Sequence, residues 1–486
     1  MSRTLMSVAC AGLLTVGTSL WAQQSASSGI VGEVRDSTQG ALPGVTVTAT
    51  NVGTNAERAT VTDAEGRFSV PNLPPATYQV RAHLEGFSDI VLEPFELRFG
   101  DVARRAITLG LAGMSEAVRV QAEAPLLQTQ SASVGQVIAE KQLEELPVTD
   151  RSVLQFVATA AGVTSKSFQR GTLDYGRRDQ YVTVDGGRDS DTSYAVDGIF
   201  VGSLLFNNMS LNPPSDSLQE VNLLRSSFST EFGQGQAVVS MVTKSGTNEL
   251  RGSAYEYFRH HALNAPNYFA PEDEPEPSFE RNRFGLTAGG PILRDKVFVF
   301  GSYEGLRATQ GEMQFANVPD PAFLRGDFSS VSTPVLDPLT GKPFPGNIVP
   351  ADRIVPFAAL QRSAVPAPNT SGPNNYRAVE DFTDDTNSLN LRLTQVLNRD
   401  HTLFQRYLWS DSQQIIPGEI TVSGRPQVGK NLALGHTWVI SPTLVNETRL
   451  GYNYSYHLFD SSFPGEDYLS RNWVDEMGLQ NLQGGT

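Results

Sequence analysis

The chain has 486 residues, with 37 Lys and Arg against 52 Asp and Glu, a formal charge of −15. That acidic balance excludes a nucleic-acid binder, which needs a basic surface to displace counterions from phosphates. The single cysteine, Cys10, excludes a disulfide framework and any Cys-based zinc site. With 43 Gly, 29 Pro and only 18% charged residues, the composition favours short strands joined by turns over a helix-rich enzyme.

The amino terminus reads as a signal peptide over residues 1–26. Arg3 supplies the positive n-region, Leu5 to Trp21 is uncharged, and Ala22 or Ala26 ends a small-residue cleavage site. The protein is therefore expected to be exported. No later stretch approaches the roughly 18–20 apolar residues of a spanning helix. A membrane location then requires a β-barrel, because lipid leaves backbone groups no other way to be satisfied.

Residues 29–110 alternate strand-like runs with turn clusters. Val45 to Ala49 follows Pro43-Gly44, Arg67 to Val70 follows the Thr62–Gly66 turn, and Tyr78 to Ala82 follows Pro74-Pro75. Six or seven short strands in this span predict a small β-sandwich. From 111 to 248 the pattern is mixed and predicts a compact α+β unit. Val137–Leu146 has helical composition and stops before Pro147, and Thr149 or Asp150 caps a second helix, Arg151–Ala161, closed by Gly162. Strand runs follow at Gln180–Val184, Tyr194–Gly198 and Ala237–Thr243.

From 249 to 486 the period changes to two. Leu450, Tyr452, Tyr454 and Tyr456 share one face, opposite Glu447, Arg449, Asn453 and His457. Phe284, Leu286 and Ala288 oppose Arg283, Gly285 and Thr287, and Leu432, Leu434, Trp438 and Ile440 fall together. Amphipathic segments of about ten residues with clustered aromatics match outer-membrane strands. Tyr255, Tyr257 and Phe258 are read as an interfacial girdle on the first strand. Gly252, Gly285, Gly289 and Gly290 are read as room for strands curving around a plug. Much of 305–385 reads as Pro- and Gly-rich loop.

Two resemblances rest on these residues. Gly32–Asp36, Pro43-Gly44-Val45, Thr62–Phe68 and Gly86-Phe87 resemble the carboxypeptidase-regulatory-like (transthyretin-like) domain, whose superfamily is often labelled carbohydrate-binding-like. No aromatic platform supports sugar binding, and a spacer or docking module is the plainer reading. Asp216–Val221, Ser229–Gly233, Val242–Asn248, Arg251–Arg259, Phe284–Ile292 and Phe298–Gly305 together resemble the Oar-like branch of TonB-dependent receptors. That resemblance implies a plug over 111–248 inside an outer-membrane β-barrel that begins at 249. It also implies a coupling segment that pairs by strand addition with the periplasmic TonB protein. Glu116, Ala117, Val118, Arg119, Val120 and Gln121 fit in position and alternation, and equally fit a linker or first plug strand.

Other motifs carry less. Counting a calcium loop from Asp189 puts Tyr194 and Phe200 where Gly and Glu are needed, so the motif is rejected. A polar plug loop is preferred there, with Arg188, Asp189, Asp191, Tyr194 and Asp197 as substrate-contact candidates. Gly233-Gln234-Gly235 lacks the final glycine of a dinucleotide fingerprint, because Val238 stands in its place. Neighbouring His260 and His261 on a regular strand would face opposite ways. Glu272–Glu276 reads as a solvated acidic loop. No catalytic grouping, metal site or cofactor is expected.

The sequence thus predicts a mainly β chain: a β-sandwich, an α+β plug and an antiparallel transmembrane barrel in the cell outer membrane. The expected function is TonB-dependent uptake of a substrate of unknown class, with TonB, outer-membrane lipid and that substrate as partners. The alternatives are an adhesin or assembly factor anchored by the barrel, or a secreted or periplasmic carbohydrate-binding-like module. A barrel of about 22 strands at about 10 residues each needs about 220 residues before turns. Only 237 follow Glu249, so the barrel is expected to be incomplete in this chain.

Overall fold

The computed structural model describes residues 28–111, 119–120, 134–148, 151–165, 181–203, 209–225, 228, 235–263, 265, 278–354, 365–417, 422–441, 444–458 and 460–462. The expected signal peptide, Thr149, Asp150, Gly233-Gln234 and Glu272–Glu276 lie outside these residues.

The first unit has eight strands rather than six or seven: β1 (Ser28–Asp36), β2 (Thr46–Asn51), β3 (Glu57–Val61), β4 (Arg67–Leu73), β5 (Ala76–His83), β6 (Ile90–Leu92), β7 (Phe95–Leu97) and β8 (Val102–Leu109). One sheet runs β4-β1-β8 and the other β3-β2-β5, with both β6 and β7 paired to β5. β4 alternates, so that Phe68 and Val70 point inward while Arg67 and Ser69 are exposed. The two inner faces meet in a core of 17 buried residues, all between Ile30 and Leu109. A two-residue strand, β9 (Arg119–Val120), adds in parallel to the edge of β6.

The second unit contains β10 (Val134–Ala139), helices Glu140–Glu145 and Val153–Val157, β11 (Val163–Ser165), β12 (Val182–Val184), β13 (Thr192–Val196), β14 (Ile199–Phe200), β15 (Leu218–Arg225) and β16 (Ala237–Thr243). Its main sheet has the order β10-β15-β16-β13-β14. The helix expected from Val137 begins three residues later, because Val137, Ile138 and Ala139 pair with Asn222, Val221 and Glu220. β-Branched residues lose side-chain freedom in a helix, and β15 offers them an edge. The second helix is also shorter than expected. Arg151 sits at φ +49°, outside the helix, and Ser152 occupies the N-cap position.

The third unit is one antiparallel sheet of β17 (Arg251–His260), β18 (Phe279–Leu293), β19 (Val297–Ala316), β20 (Tyr376–Val396), β21 (His401–Pro417), β22 (Val422–Ser441), β23 (Leu444–His457) and the short β24 (Asp460–Ser462). The path is open: among the described residues β17 and β23 do not pair. One end carries only short connections, of two to four residues, after β18, β20 and β22; the other carries the long ones after β17 and β19 together with a four-residue one after β21. Residues 305–316 and 376–385, expected as loop, are extensions of β19 and β20.

The polarity of this sheet is inverted relative to the sandwich. Phe284, Leu286, Leu391, Leu432, Leu434, Trp438, Leu450 and Tyr452 are exposed on the outer face. The inner face buries Arg283, Thr287, Ser302, Glu304, Ser388, Asn390, Arg406, Ser410 and Asn431. Water would reverse this arrangement; a hydrocarbon solvent favours it.

The aromatics of β17 divide between the two faces. Phe258 points outward at 50% exposure, whereas Tyr255 donates to Glu304 (3.0 Å) and Tyr257 lies under Arg151 (4.3 Å). Odd-numbered residues of this strand face the interior, so the expected girdle reduces to Phe258. The crowding at Gly285 likewise comes from neighbouring strands: an added Cβ would lie 2.4 Å from the Tyr255 hydroxyl.

Candidate functional site

The second unit sits inside the curve of the sheet, and its core includes Leu408 of β21. What fastens it there starts with a two-residue hairpin. β13 and β14 pair through Val196 and Ile199, leaving Asp197 and Gly198 as the loop, both at positive φ (+48° and +77°). An Asp-Gly turn of this kind matches the twist of its flanking strands. It presents the Asp197 carboxylate toward the barrel wall at the short-turn end.

There Asp197 accepts three hydrogen bonds and forms an ion pair with a second guanidinium. Thr243 gives its backbone N–H (3.0 Å) and its hydroxyl (2.8 Å). Arg392 of β20 approaches at 3.0 Å and Arg406 of β21 at 3.1 Å. Arg392 also donates to the Thr243 carbonyl at 2.9 Å, and Arg406 bonds Asn431 and the Val196 carbonyl (3.4 Å). Arg406 has no exposed side-chain surface and Asp197 only 5%. One carboxylate between two guanidiniums leaves this buried cluster at a net formal charge of +1.

A second cluster holds the other side of the unit. Arg151 donates to the carbonyls of Leu143 (2.9 Å) and Glu144 (3.2 Å), closing the first helix, and pairs with Asp216 (3.3 Å). On the barrel wall Arg283 meets Glu304 at 2.6 Å. Lys244 binds Glu140 (2.7 Å) and Glu144 (3.0 Å). Burial alone would lower the Lys244 pKa, but the two carboxylates hold the ammonium above its usual value.

The chain leaves the second unit through Lys244 to Asn248. Gly246 passes flush against the first barrel strands, where a Cβ would lie 2.4 Å from the Val299 carbonyl. The sandwich meets the same place. Asn248 donates its N–H to the Gly53 carbonyl (2.8 Å), and Asn55 reaches Asp295 (2.9 Å). Between sandwich, second unit and sheet lies a cavity of about 750 Å³, lined among others by Tyr78, Asp197, Thr247, Arg392, Thr437 and Arg449.

The five candidates read as a substrate loop do not come together. Asp189–Asp191 forms a 3₁₀ turn at the end of β13 away from Asp197. Arg188 is exposed there, and the Asp191 carboxylate accepts from the Arg188 N–H (3.1 Å). Tyr194 is fully buried and its hydroxyl accepts from the Val182 N–H (3.2 Å), which makes it a core residue. Asp197 is the anchor described above, at the opposite end. Of the coupling segment, Arg119 and Val120 form β9, while Glu116, Ala117, Val118 and Gln121 lie outside the described residues. Among the described residues no group of three His, Cys, Asp or Glu side chains is placed to hold a metal.

Arg392 and Arg406 escaped notice in the sequence. Their only signal was a charged residue on the inner face of an alternating strand, which names no partner about 200 positions away.

Comparison with known proteins is consistent with this architecture. Residues 242–483 match the family described as outer membrane beta barrel domain, and residues 29–110 match the carboxypeptidase regulatory-like domain. The chain is thus a mainly β outer-membrane protein carrying a regulatory-like domain. It is similar to the TonB-dependent transporter Oar of Myxococcus xanthus, 29% identical over 308 residues. That match covers 61% of this chain and 28% of the relative, so the chain spans well under half of that protein's length. Among solved structures, the outer membrane transporter YddB from Escherichia coli is similar at a TM-score of 0.42 and 14% identity, covering 66% of this chain and 39% of that one. The siderophore receptor PirA from Acinetobacter baumannii is similar at 0.41 and 16%, covering 66% and 40%.

Proposed function

We propose that the protein is a TonB-dependent transporter that takes up an extracellular substrate with energy from the inner-membrane proton gradient. In this reading 249–486 is barrel, 111–248 is the plug, and the sandwich over 29–110 lies in the periplasm. The observation that carries it is the inverted sheet wrapped around an α+β unit and fastened to it by buried charge. Short turns mark the periplasmic end of such barrels and long loops the outer end. Asp197 and the cavity then face the periplasm, and the Arg188–Asp191 turn faces outward. An adhesin anchor has no need of a filled lumen.

Mechanistically, substrate binds at the outer mouth near Arg188, and the plug responds. TonB adds as a strand to Glu116–Gln121 and pulls, using main-chain hydrogen bonds that require no special side chain. The pull must break or slide the Asp197 cluster before a path opens. The test is a knockout screened for solute-dependent growth, complemented with the wild type or with a Glu116–Gln121 deletion. The deletion is expected to abolish uptake while leaving the barrel in the outer membrane. Unchanged uptake would remove energy coupling through this segment, and a wild type that supports no uptake of any solute would favour the adhesin.

A further inference from the structure

We infer that the N-terminal β-sandwich is a detachable periplasmic gate, which clamps the second unit to the barrel rim and closes the cavity between them. Calling it a gate rests on the transporter reading; the clamp across one side of the cavity does not.

The first observation is where the sandwich touches. It bonds the second unit through Gln219, which donates to the Pro75 carbonyl (3.0 Å), and Glu220, which accepts from the Phe99 N–H (2.9 Å). It holds the exit segment through Asn248 and Gly53 (2.8 Å). It also grips two barrel turns: Asn55 meets Asp295 (2.9 Å), and Arg58 donates to the Arg399 carbonyl (3.2 Å). Asp295 in turn accepts from Asn248 (2.7 Å), so one carboxylate ties sandwich, exit segment and barrel together. Any movement of residues 244–248 must disturb that knot.

The second observation is what the contact lacks. The sandwich core contains no residue beyond Leu109, whereas the core of the second unit includes Leu408 of the barrel. The interface is therefore hydrogen-bonded and polar, the kind that opens and closes, and the sandwich keeps its whole core when it leaves. The third observation is the cavity of about 750 Å³, which the sandwich covers with Asn51 to Arg58 and Asn72 to Tyr78. Solute passing inward along the lumen would have to leave through this space.

The test uses the full chain in outer-membrane vesicles. Thr437→Cys places a thiol in the cavity, to be labelled by a 5-kDa polyethylene glycol maleimide (about that size is needed for exclusion), and Cys10 is the one native cysteine. Labelling is expected to be at least about tenfold slower than in the same protein carrying Asn55→Asp and Arg58→Glu, which repel Asp295 and abandon the Arg399 carbonyl. Equal rates in a variant that retains a folded barrel and sandwich would overturn the proposal. A second variant is independent of that one. A Cβ on Gly53 would lie 3.6 Å from the Thr247 Cβ, within disulfide range, so Gly53→Cys with Thr247→Cys should lock the gate. Hydrogen exchange at the Ser245–Asn248 amides is expected to slow on oxidation by about tenfold and recover with reductant. Failure of the pair to cross-link in native vesicles would also overturn it. Neither readout requires substrate or TonB, so a failure here is distinct from a failure of the coupling-segment deletion.

Discussion

Replacing Asp197 with Ala should loosen the second unit more than a change at an exposed loop position. The carboxylate is 5% exposed and its partner Arg406 has no exposed side-chain surface. Removing one member of a buried pair costs about 3–5 kcal/mol, because the remaining charge stays buried without compensation. The two Thr243 hydrogen bonds to the same carboxylate add about 1 kcal/mol each. For a domain with a urea slope of about 2 kcal/mol/M, a loss of about 4 kcal/mol moves the midpoint down by roughly 2 M. The assay is urea titration of the detergent-solubilised protein, followed by hydrogen exchange at the β16 amides of Val238 to Met241. Asp197→Ala combined with Arg406→Met should recover part of the loss, giving a coupling energy above about 1 kcal/mol in the double-mutant cycle. A midpoint shift below about 0.5 M, with no coupling, would refute the anchor: water would then be solvating the guanidiniums.

Two further outcomes follow from other parts of the structure. Burial between the sandwich and the second unit pushes the Glu220 pKa up to about 7 from 4.5; the Asp101 and Glu96 carboxylates add to the rise, and bonds from Phe99 and Asn222 oppose it. A raised carboxyl pKa means that docking is strongest below about pH 4.5 and weakens as pH rises through 7, by up to about 3 kcal/mol. Labelling of Thr437→Cys, divided by that of an exposed reference thiol so that the change in thiolate fraction cancels, should therefore accelerate from pH 5 to pH 8 (about that window), and Glu220→Gln should flatten this ratio; a ratio unchanged by that substitution would remove Glu220 as its source. Leu434→Arg, on the exposed outer face of β22, should destabilise the barrel by about 2–4 kcal/mol in lipid vesicles, as a charge near the bilayer midplane does. A neutral result would argue that this face does not meet lipid.

The alternation of β23 and β22 was readable because lipid and lumen impose opposite polarities on successive residues. The same signal faded in 305–316 and 376–385, where residues such as Glu312, Asp381 and Asp385 interrupt the apolar alternation. The helix expected from Val137 failed because its first turn is claimed by β15, a partner more than 80 positions away. The pairing of Asp197 was hidden for a similar reason. An acidic residue beside glycine looks like a ligand loop until Arg392 and Arg406 arrive from two later strands. Tyr255 and Tyr257 were placed in the girdle by type, and their parity on the strand overruled it. Local chemistry was legible in the sequence, whereas long-range charge pairing was not.

The most direct test of energy coupling is a photo-crosslinker placed in turn at Glu116 through Gln121 in living cells, with TonB probed for adducts. An adduct with TonB is expected at alternate positions, Val118 and Val120 among them, that weakens when the proton gradient is collapsed. Uptake that persists with no adduct at any of these residues would contradict coupling through this segment.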